Sequence, residues 1–428
     1  MLSTIRNAWK IPELRKKLLF TIFVLLIFRL GNAVPVPFID ANLLSDYFDQ
    51  LGNTVLGLYN VMSGDAFSRC TIFALSIQPY INASIIINLL TVAIPALERL
   101  QKEGGEEGRK KIASITRYST IAIALLQGFG YYMLMRNGYS QPIITEEGVW
   151  PAIVIIMTFV AGASLLMWLG EQITEFGIGN GISMILFAGI IARGPSVLNT
   201  LIANFGVTIN WIGLIGILIG ALAIIVFIVF ITNAERRIPI QYAKRVVGRK
   251  MYGGQSTYLP MKVNMSGVMP IIFAQTIASL PATIAALANP AEGTFWYSFL
   301  NFFDTTSTFY CILYFLLIIA FSYFYASIQF NPIEISNNLK KNGGFIPGFR
   351  PGKPTSEFIK KVLNKITLFG ALYLGLLAVI PIIFTRVTGI ADLGLGGTSI
   401  IIVVGVALEF FQQIEAQMVM RHYKGFLE

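Results

Sequence analysis

Apolar runs recur along the chain at lengths suited to a lipid bilayer. They lie at about 18–34, 71–96, 112–134, 151–170, 182–199, 209–231, 267–288, 308–329, 366–385 and 399–414. Most approach the roughly 20 residues a spanning helix needs, so the pattern predicts ten transmembrane helices. A further apolar segment at about 55–66 is too short to cross. Two long polar loops, 232–262 and 330–365, break the alternation. In the first, IPIQYAKR and QSTYLPMKV flank a basic, glycine-containing middle, the pattern of a protruding hairpin.

One stretch departs from a plain lipid anchor. Gly64 to Leu90 begins polar, with Asp65, Ser68 and Arg69, then turns apolar. Pro79 interrupts it, and Ser76, Gln78, Asn82, Ser84 and Asn88 are scattered along it. In hydrocarbon each polar group must find a partner or face water. A 3.6-residue period places Ile77, Ile81 and Ser84 near one face, with Gln78, Asn82 and Asn88 beside it. Two readings follow: a wall of an aqueous path with an apolar constriction, or a polar helix–helix contact.

The two halves, 1–200 and 201–428, look related. SIQPYINAS in span two and SGVMPIIFA in span seven each place a proline just before isoleucine: Pro79 with Ile81, and Pro270 with Ile271 and Ile272. Spans five and ten both follow glycine-rich turns, GIGNGIS and GLGGTS, from opposite sides of the membrane. Five spans per half makes the halves inverted, and interrupted helices at matching places point to a pathway at their interface.

Composition agrees with the pattern. The chain is 55% hydrophobic and 13% charged, with a mean hydropathy of +0.68. A soluble domain carries roughly a quarter charged residues. Of 32 Lys and Arg, 27 fall in residues 1–17, the loops 97–117, 232–262 and 330–365, and the tail, which predicts both termini in the cytoplasm. Residues 1–17 suit an interfacial segment, and the run after them reads as a retained first helix.

Candidate chemistry is sparse. The one histidine is His422, and Cys70 and Cys311 lie in apolar surroundings, so no metal site or disulfide framework is expected. No phosphate-binding loop is present, and the glycines at 177–181 follow no strand, which favours a tight turn over a dinucleotide site. Glu171 and Glu175 read as a solvated helix end. Arg29, Arg386, Glu409 and Glu415 sit near span ends, and the scarcity of mid-span carboxylates counts against proton-coupled transport. An aliphatic-lined pore remains, which blocks ions by dewetting yet deforms around a bulky chain. A secondary transporter with a polar midplane site and a scaffold without a conduit are the alternatives.

Long motifs in order resemble the SecY family, the channel-forming subunits of the bacterial protein translocase. They are PELRKKLLFTIF at 12–23, FRLGNAVPVPFID at 28–40, IFALSIQPYINASIIINLL at 72–90, EGRKKIASITRY at 107–118, MWLGEQITEFGIGNGIS at 167–183, QSTYLPMKVNMSGVMP at 255–270 and NPIEISNNLKKNGGFIPGFRPGKPT at 331–355.

The resemblance implies an all-α polytopic fold of ten transmembrane helices, two inverted halves forming a clamshell around a central hourglass pore. At its waist would stand a ring of Ile77, Ile81, Ile182, Leu186, Ile272 and Ile402, with Leu186 where the family commonly has Ile. A plug at about 55–68, including Gly57, Ser63, Gly64 and Phe67, would close the outer funnel; this segment matches the family only loosely. Spans two and seven would form a lateral gate, with Asn82, Asn88, Asn264 and Leu280 along the seam. Asn82 stands where a small hydroxyl residue is frequent. Lys244, Arg245, Arg249, Lys250 and above all Arg350 would dock the ribosome or the motor ATPase SecA. The implied partners are SecE, SecG, SecA, the ribosome, signal-sequence-bearing polypeptides and membrane lipids, at the bacterial plasma membrane. No cofactor and no enzymatic activity are implied.

Overall fold

The computed structural model describes residues 2–50, 55–102, 104–137, 143–146, 148–203, 211–242, 245–247, 250–252, 256–265, 267–288, 303, 307–388 and 391–424. Its contacts divide into two units. One comprises Met1–Leu214, Thr276–Cys311 and Pro381–Glu428; the other comprises Ile215–Gln275 and Ile312–Ile380.

In the first unit, α1 (Leu2–Lys10) turns at Ile11 into α2 (Pro12–Gly31), whose first residue is a proline that needs no N–H partner there. Ala8, Leu14 and Leu18 pack with Ile178 and with Ile414 of the last helix, α16 (Ala391–Lys424). Short helices α3 (Ala41–Gln50) and α4 (Val55–Ser63) follow, then α5 (Gln78–Ala93) and α6 (Pro95–Lys102). The chain bends by 105° between these last two. The cause is Pro95, which drives Ile94 into an extended conformation (φ −105°, ψ 112°).

Long helices α7 (Gly105–Asn137) and α8 (Val149–Phe176) pack along each other, and α7 also packs on α5. Phe159, Ile155, Tyr131 and Ala124 form the centre of their shared core. α9 (Gly181–Ala192) and α10 (Gly194–Ala203) then replace the single span expected at 182–199, the break falling at Arg193.

The glycine-rich 177–181 segment is the expected tight turn. Asn180 caps α9, its Oδ1 accepting from the Ile182 and Ser183 amides at 3.0 and 3.5 Å. Thr174 Oγ1 accepts from the Gly181 amide at 2.9 Å. A Cβ on Gly181 would sit 1.8 Å from the Gly170 carbonyl oxygen, so α8 and α9 meet backbone to backbone. Gly181→Val should therefore destabilise the protein by about 2 kcal/mol or more, read as a lowered Tm in detergent. An unchanged Tm would mean that this approach relaxes freely.

The second unit holds the described part of the long loops. β1 (Glu235–Tyr242) pairs antiparallel with β4 (Ser256–Lys262), Ile238 facing Leu259, and the short strand β5 (Gly344–Phe345) adds to the other edge of β1. Between them in sequence, β2 (Arg245–Val247) and β3 (Lys250–Tyr252) pair antiparallel as a separate two-stranded sheet. The alternation along β1 buries Ile238 and Ile240. These two pack with Met261, Leu339, Ile346, Ile359 and Leu363, so the hairpin is welded to α14 (Pro332–Lys341) and to the start of α15 (Lys353–Thr388).

The remaining helices are α11 (Trp211–Asn233), α12 (Met269–Ala288) and α13 (Thr308–Gln329). Each of the ten expected spans thus contains helix, although the second and the fifth are not single unbroken helices. Among the described residues four helices are long and apolar enough to cross a bilayer unaided, or five if the bent pair α5–α6 is one span. α2 falls outside this set because Arg15, Lys16, Lys17 and Arg29 lie inside its run.

Candidate functional site

The 55–90 stretch is a short helix, an irregular segment and a second helix. α5 begins at Gln78, not at 71 as the hydropathy suggested. Ile77 is its cap, and Pro79 falls in the first turn, where it costs no hydrogen bond. Residues 71–77 cannot continue the helix. Cys70 and Ser76 have positive φ (45° and 51°), and the backbone around Thr71 pairs with that around Pro35, Ile72 N donating to Val34 O and Val36 N to Cys70 O.

Expected ring residues are almost fully enclosed. Ile77, Ile81, Leu186, Ile272 and Ile402 are each 2% exposed or less, and Ile182 is half-buried. Helices α9 and α16 pack directly, which brings the elements bearing Ile182, Leu186 and Ile402 together. Ile77 and Ile185 converge on Gly170 of α8. Ile272 belongs to the other unit, where its neighbour Phe273 makes edge contacts with Phe321 and Tyr325.

The plug-like segment is embedded. α4 packs on α9 and α16. Gly57 and Gly64 are buried, Ser63 is 1% exposed and Phe67 is 6% exposed. Ser63 Oγ donates to Asn60 O and accepts from the Phe67 amide, and Asn32 Nδ2 donates to Ser63 O at 3.1 Å. Phe67 stacks on Tyr131 at 4.2 Å and meets Phe48 edge-on at 5.0 Å, while the Tyr131 hydroxyl donates to Phe67 O. Gln78 Nε2 reaches Met62 Sδ at 3.1 Å, joining α5 to α4.

Tyr131 and Asn60 are not singled out by the sequence. Their roles depend on where distant helices meet, and only the polar opening Asp65-Ser68-Arg69 gave a hint. Tyr131→Phe removes one buried hydrogen bond and should cost about 1 kcal/mol while keeping the ring stack. Faster proteolysis confined to 55–76 would report it; unchanged cleavage would mean the stack alone holds Phe67.

The gate asparagines differ among themselves. Asn82 is 6% exposed and its buried Oδ1 has no hydrogen-bond partner among the described residues. Asn264, half-buried, has an Oδ1 in the same condition. Asn88 Nδ2 donates to Ser84 Oγ at 3.4 Å on its own helix. Leu280 is 41% exposed.

Of the basic set, Lys244 and Arg249 lie outside the described residues, and Arg245 and Lys250 stand on β2 and β3. Arg350 is exposed at a braced turn. Gly348 and Gly352 have φ of 87° and 102°, which favours glycine. Thr355 Oγ1 donates to Arg350 O at 2.8 Å and Ser336 Oγ to Gly352 O at 2.7 Å. Phe349 lies on Phe358 at 4.1 Å. These contacts brace the turn and leave the Arg350 side chain exposed.

A family model, SecY, matches residues 71–411. This chain belongs to the SecY family. A protein translocase subunit SecY of Streptomyces coelicolor is 45% identical over 437 residues, covering 100% of both chains. The fold is also that of solved channels at lower identity. A structure described as the SecY plug domain stabilising the closed state of the translocation channel aligns with TM-score 0.64 and 20% identity over 97% of each chain. Sec61 in the canine ribosome–channel complex aligns at 0.62, with 18% identity over 97% of each. As a SecY-family member the chain is a multi-pass membrane protein, a protein-conducting channel subunit and a passive conduit rather than a catalyst.

Proposed function

We propose that this chain forms the pore through which unfolded secretory polypeptides cross the bacterial plasma membrane, and from which membrane helices leave sideways into lipid. The observation that carries the reading is a buried, non-spanning helix, α4, packed on α9 and α16 beside enclosed aliphatic side chains. Ile77, Ile81, Ile182, Leu186, Ile272 and Ile402 form the waist, an apolar constriction that excludes ions by dewetting and yields to a chain of any sequence. Residues 55–68, with Gly57, Ser63, Gly64 and Phe67, close the outer side. Asn82, Asn88, Asn264 and Leu280 lie along the lateral gate. The amide oxygens of Asn82 and Asn264, without a partner among the described residues, support this, since a seam that must open needs polar groups able to change partners.

Both termini face the cytoplasm, as the distribution of Lys and Arg indicates. The hairpin around β2 and β3, with Lys244, Arg245, Arg249 and Lys250, and the turn at Arg350 dock the driving machine, SecA or the translating ribosome, whose RNA is polyanionic. The canine relative was solved on a ribosome, which supports the second of these. SecE is the obligate partner and SecG a further one. The test is reconstitution with these partners: proteoliposomes should import a precursor with its signal sequence when SecA and ATP are supplied, and not a signal-less one. Import of neither would refute the reading. Saturable uptake of a single small solute would favour a transporter instead.

A further inference from the structure

Arg193 terminates α9, and its Nε lies 2.9 Å from Oδ1 of Asp65, directly after the plug helix, an ion pair by distance without hydrogen-bond geometry at that nitrogen. We propose that this ion pair, braced by Asn60, is a latch that holds the plug on α9 and sets how readily the closed channel opens. The inference rests on the plug reading above.

Three observations carry it. First, the pair is built. Asn60 Nδ2 donates to Asp65 Oδ1 at 3.2 Å, Asn60 O accepts from the Asp65 amide, and Asn60 Oδ1 accepts from the Ser68 amide at 2.9 Å. Asp65 itself is held at φ 66°, a left-handed conformation that Asp tolerates better than most residues. The carboxylate is therefore aimed before Arg193 meets it. Second, the backbones are brought close for the purpose. A Cβ on Gly64 would be 2.8 Å from Gly189 O, and one on Gly189 would be 2.6 Å from Met62 O. Only glycine at both positions lets the end of α4 seat against α9, which places Asp65 beside the C-terminus of that helix. Third, the charge is out of place by topology. Arg193 is one of five Lys or Arg outside the cytoplasmic segments, where the bias of the whole chain disfavours cations.

The physical logic is directional. Apolar contacts alone fix register poorly, and the directional contacts from Asn32, Gln78 and Tyr131 reach the segment from elements other than α9. An ion pair with side chains 16% and 23% exposed fixes one position, yet both groups lie near enough to water to be rehydrated when the plug leaves. The latch thus adds a threshold that an arriving signal sequence must overcome. Asp65 and Arg193 are positioning residues; neither touches the substrate.

The test is a double-mutant cycle, read as the opening frequency of single channels of the assembled complex in planar bilayers. Asp65→Asn and Arg193→Gln should each raise that frequency about fivefold, and the double variant should rise no further. Multiplying effects, about 25-fold in the double variant, would mean two independent residues and overturn the latch. Unchanged single variants, beside a channel that leaks when residues 57–67 are deleted, would overturn the latch and leave the plug reading intact. A deletion that stays sealed would refute the plug reading, and the latch with it. If an uncharged variant fails to assemble, Arg193→Lys keeps the charge and loses the Nε contact. It should raise the frequency about twofold, and no rise would overturn the proposal.

Discussion

Replacing Ile81 with Asn should make the closed channel leak and should let precursors with defective signal sequences pass. Ile81 is 2% exposed and sits one turn into α5, next to Asn82, whose amide oxygen has no partner among the described residues. On the proposed waist, a second amide gives water two adjacent polar groups beside aliphatic side chains. Dewetting depends on an apolar surface. The substitution also removes a fully buried branched side chain, which costs the closed state several kcal/mol, on the order of 2–5, with no matching loss in an open state already wetted. A shift of that size moves a closed-to-open equilibrium by more than about tenfold. Ile402→Asn on α16 should act in the same direction. Ion efflux from proteoliposomes measures the first effect, and export of a signal-defective reporter the second. If both variants stay sealed and selective, Ile81 and Ile402 are packing residues and the waist lies elsewhere.

The second large effect is expected far from the pore. Arg350→Glu should lower export at least about tenfold while leaving the protein's Tm unchanged. The side chain is exposed at the tip of a turn held by the Thr355 and Ser336 hydrogen bonds, neither of which uses the guanidinium. An exposed substitution away from such contacts changes stability by within about 0.5 kcal/mol. Reversing charge at a docking contact turns attraction into repulsion and slows productive encounter. Normal export, or lost export with a lowered Tm, would both remove Arg350 from the docking role, the second by showing that the turn itself had failed.

Much of this was legible in the residues, and the exceptions have physical causes. The spans followed from apolar length alone, because lipid demands that backbone groups be satisfied within the segment. The bend after Ala93 followed from Pro95, and the turn before α9 from its glycines and Asn180. The hairpin followed from two alternating runs with a basic middle.

The start of α5 did not follow. IFALSI has the composition of a helix, and what prevents one is tertiary. The backbone at Ile72 is pressed against Gly162, where a Cβ would lie 2.0 Å from its carbonyl oxygen, and Ile72 N is bound to Val34. No local pattern records an approach made by α8. The Asp65–Arg193 pair was hidden for the same reason, since each residue read alone is an ordinary charge at the edge of an apolar run. Likewise Phe67 could be placed in a plug by family resemblance, but its clasp by Tyr131 needed the geometry.

Family membership fixes the kind of machine, while the waist residues are proposed from resemblance to the family, with which their burial is compatible. The most direct measurement is photo-crosslinking from position 81. A probe is placed there, synthesis of a secreted protein is stalled midway through export, and the sample is irradiated. The account predicts a crosslink to the stalled chain that disappears when its signal sequence is deleted. A folded, partner-bound channel that gives no crosslink from position 81 would contradict it, and would make Ile81 a core residue beside a pore that runs along some other path.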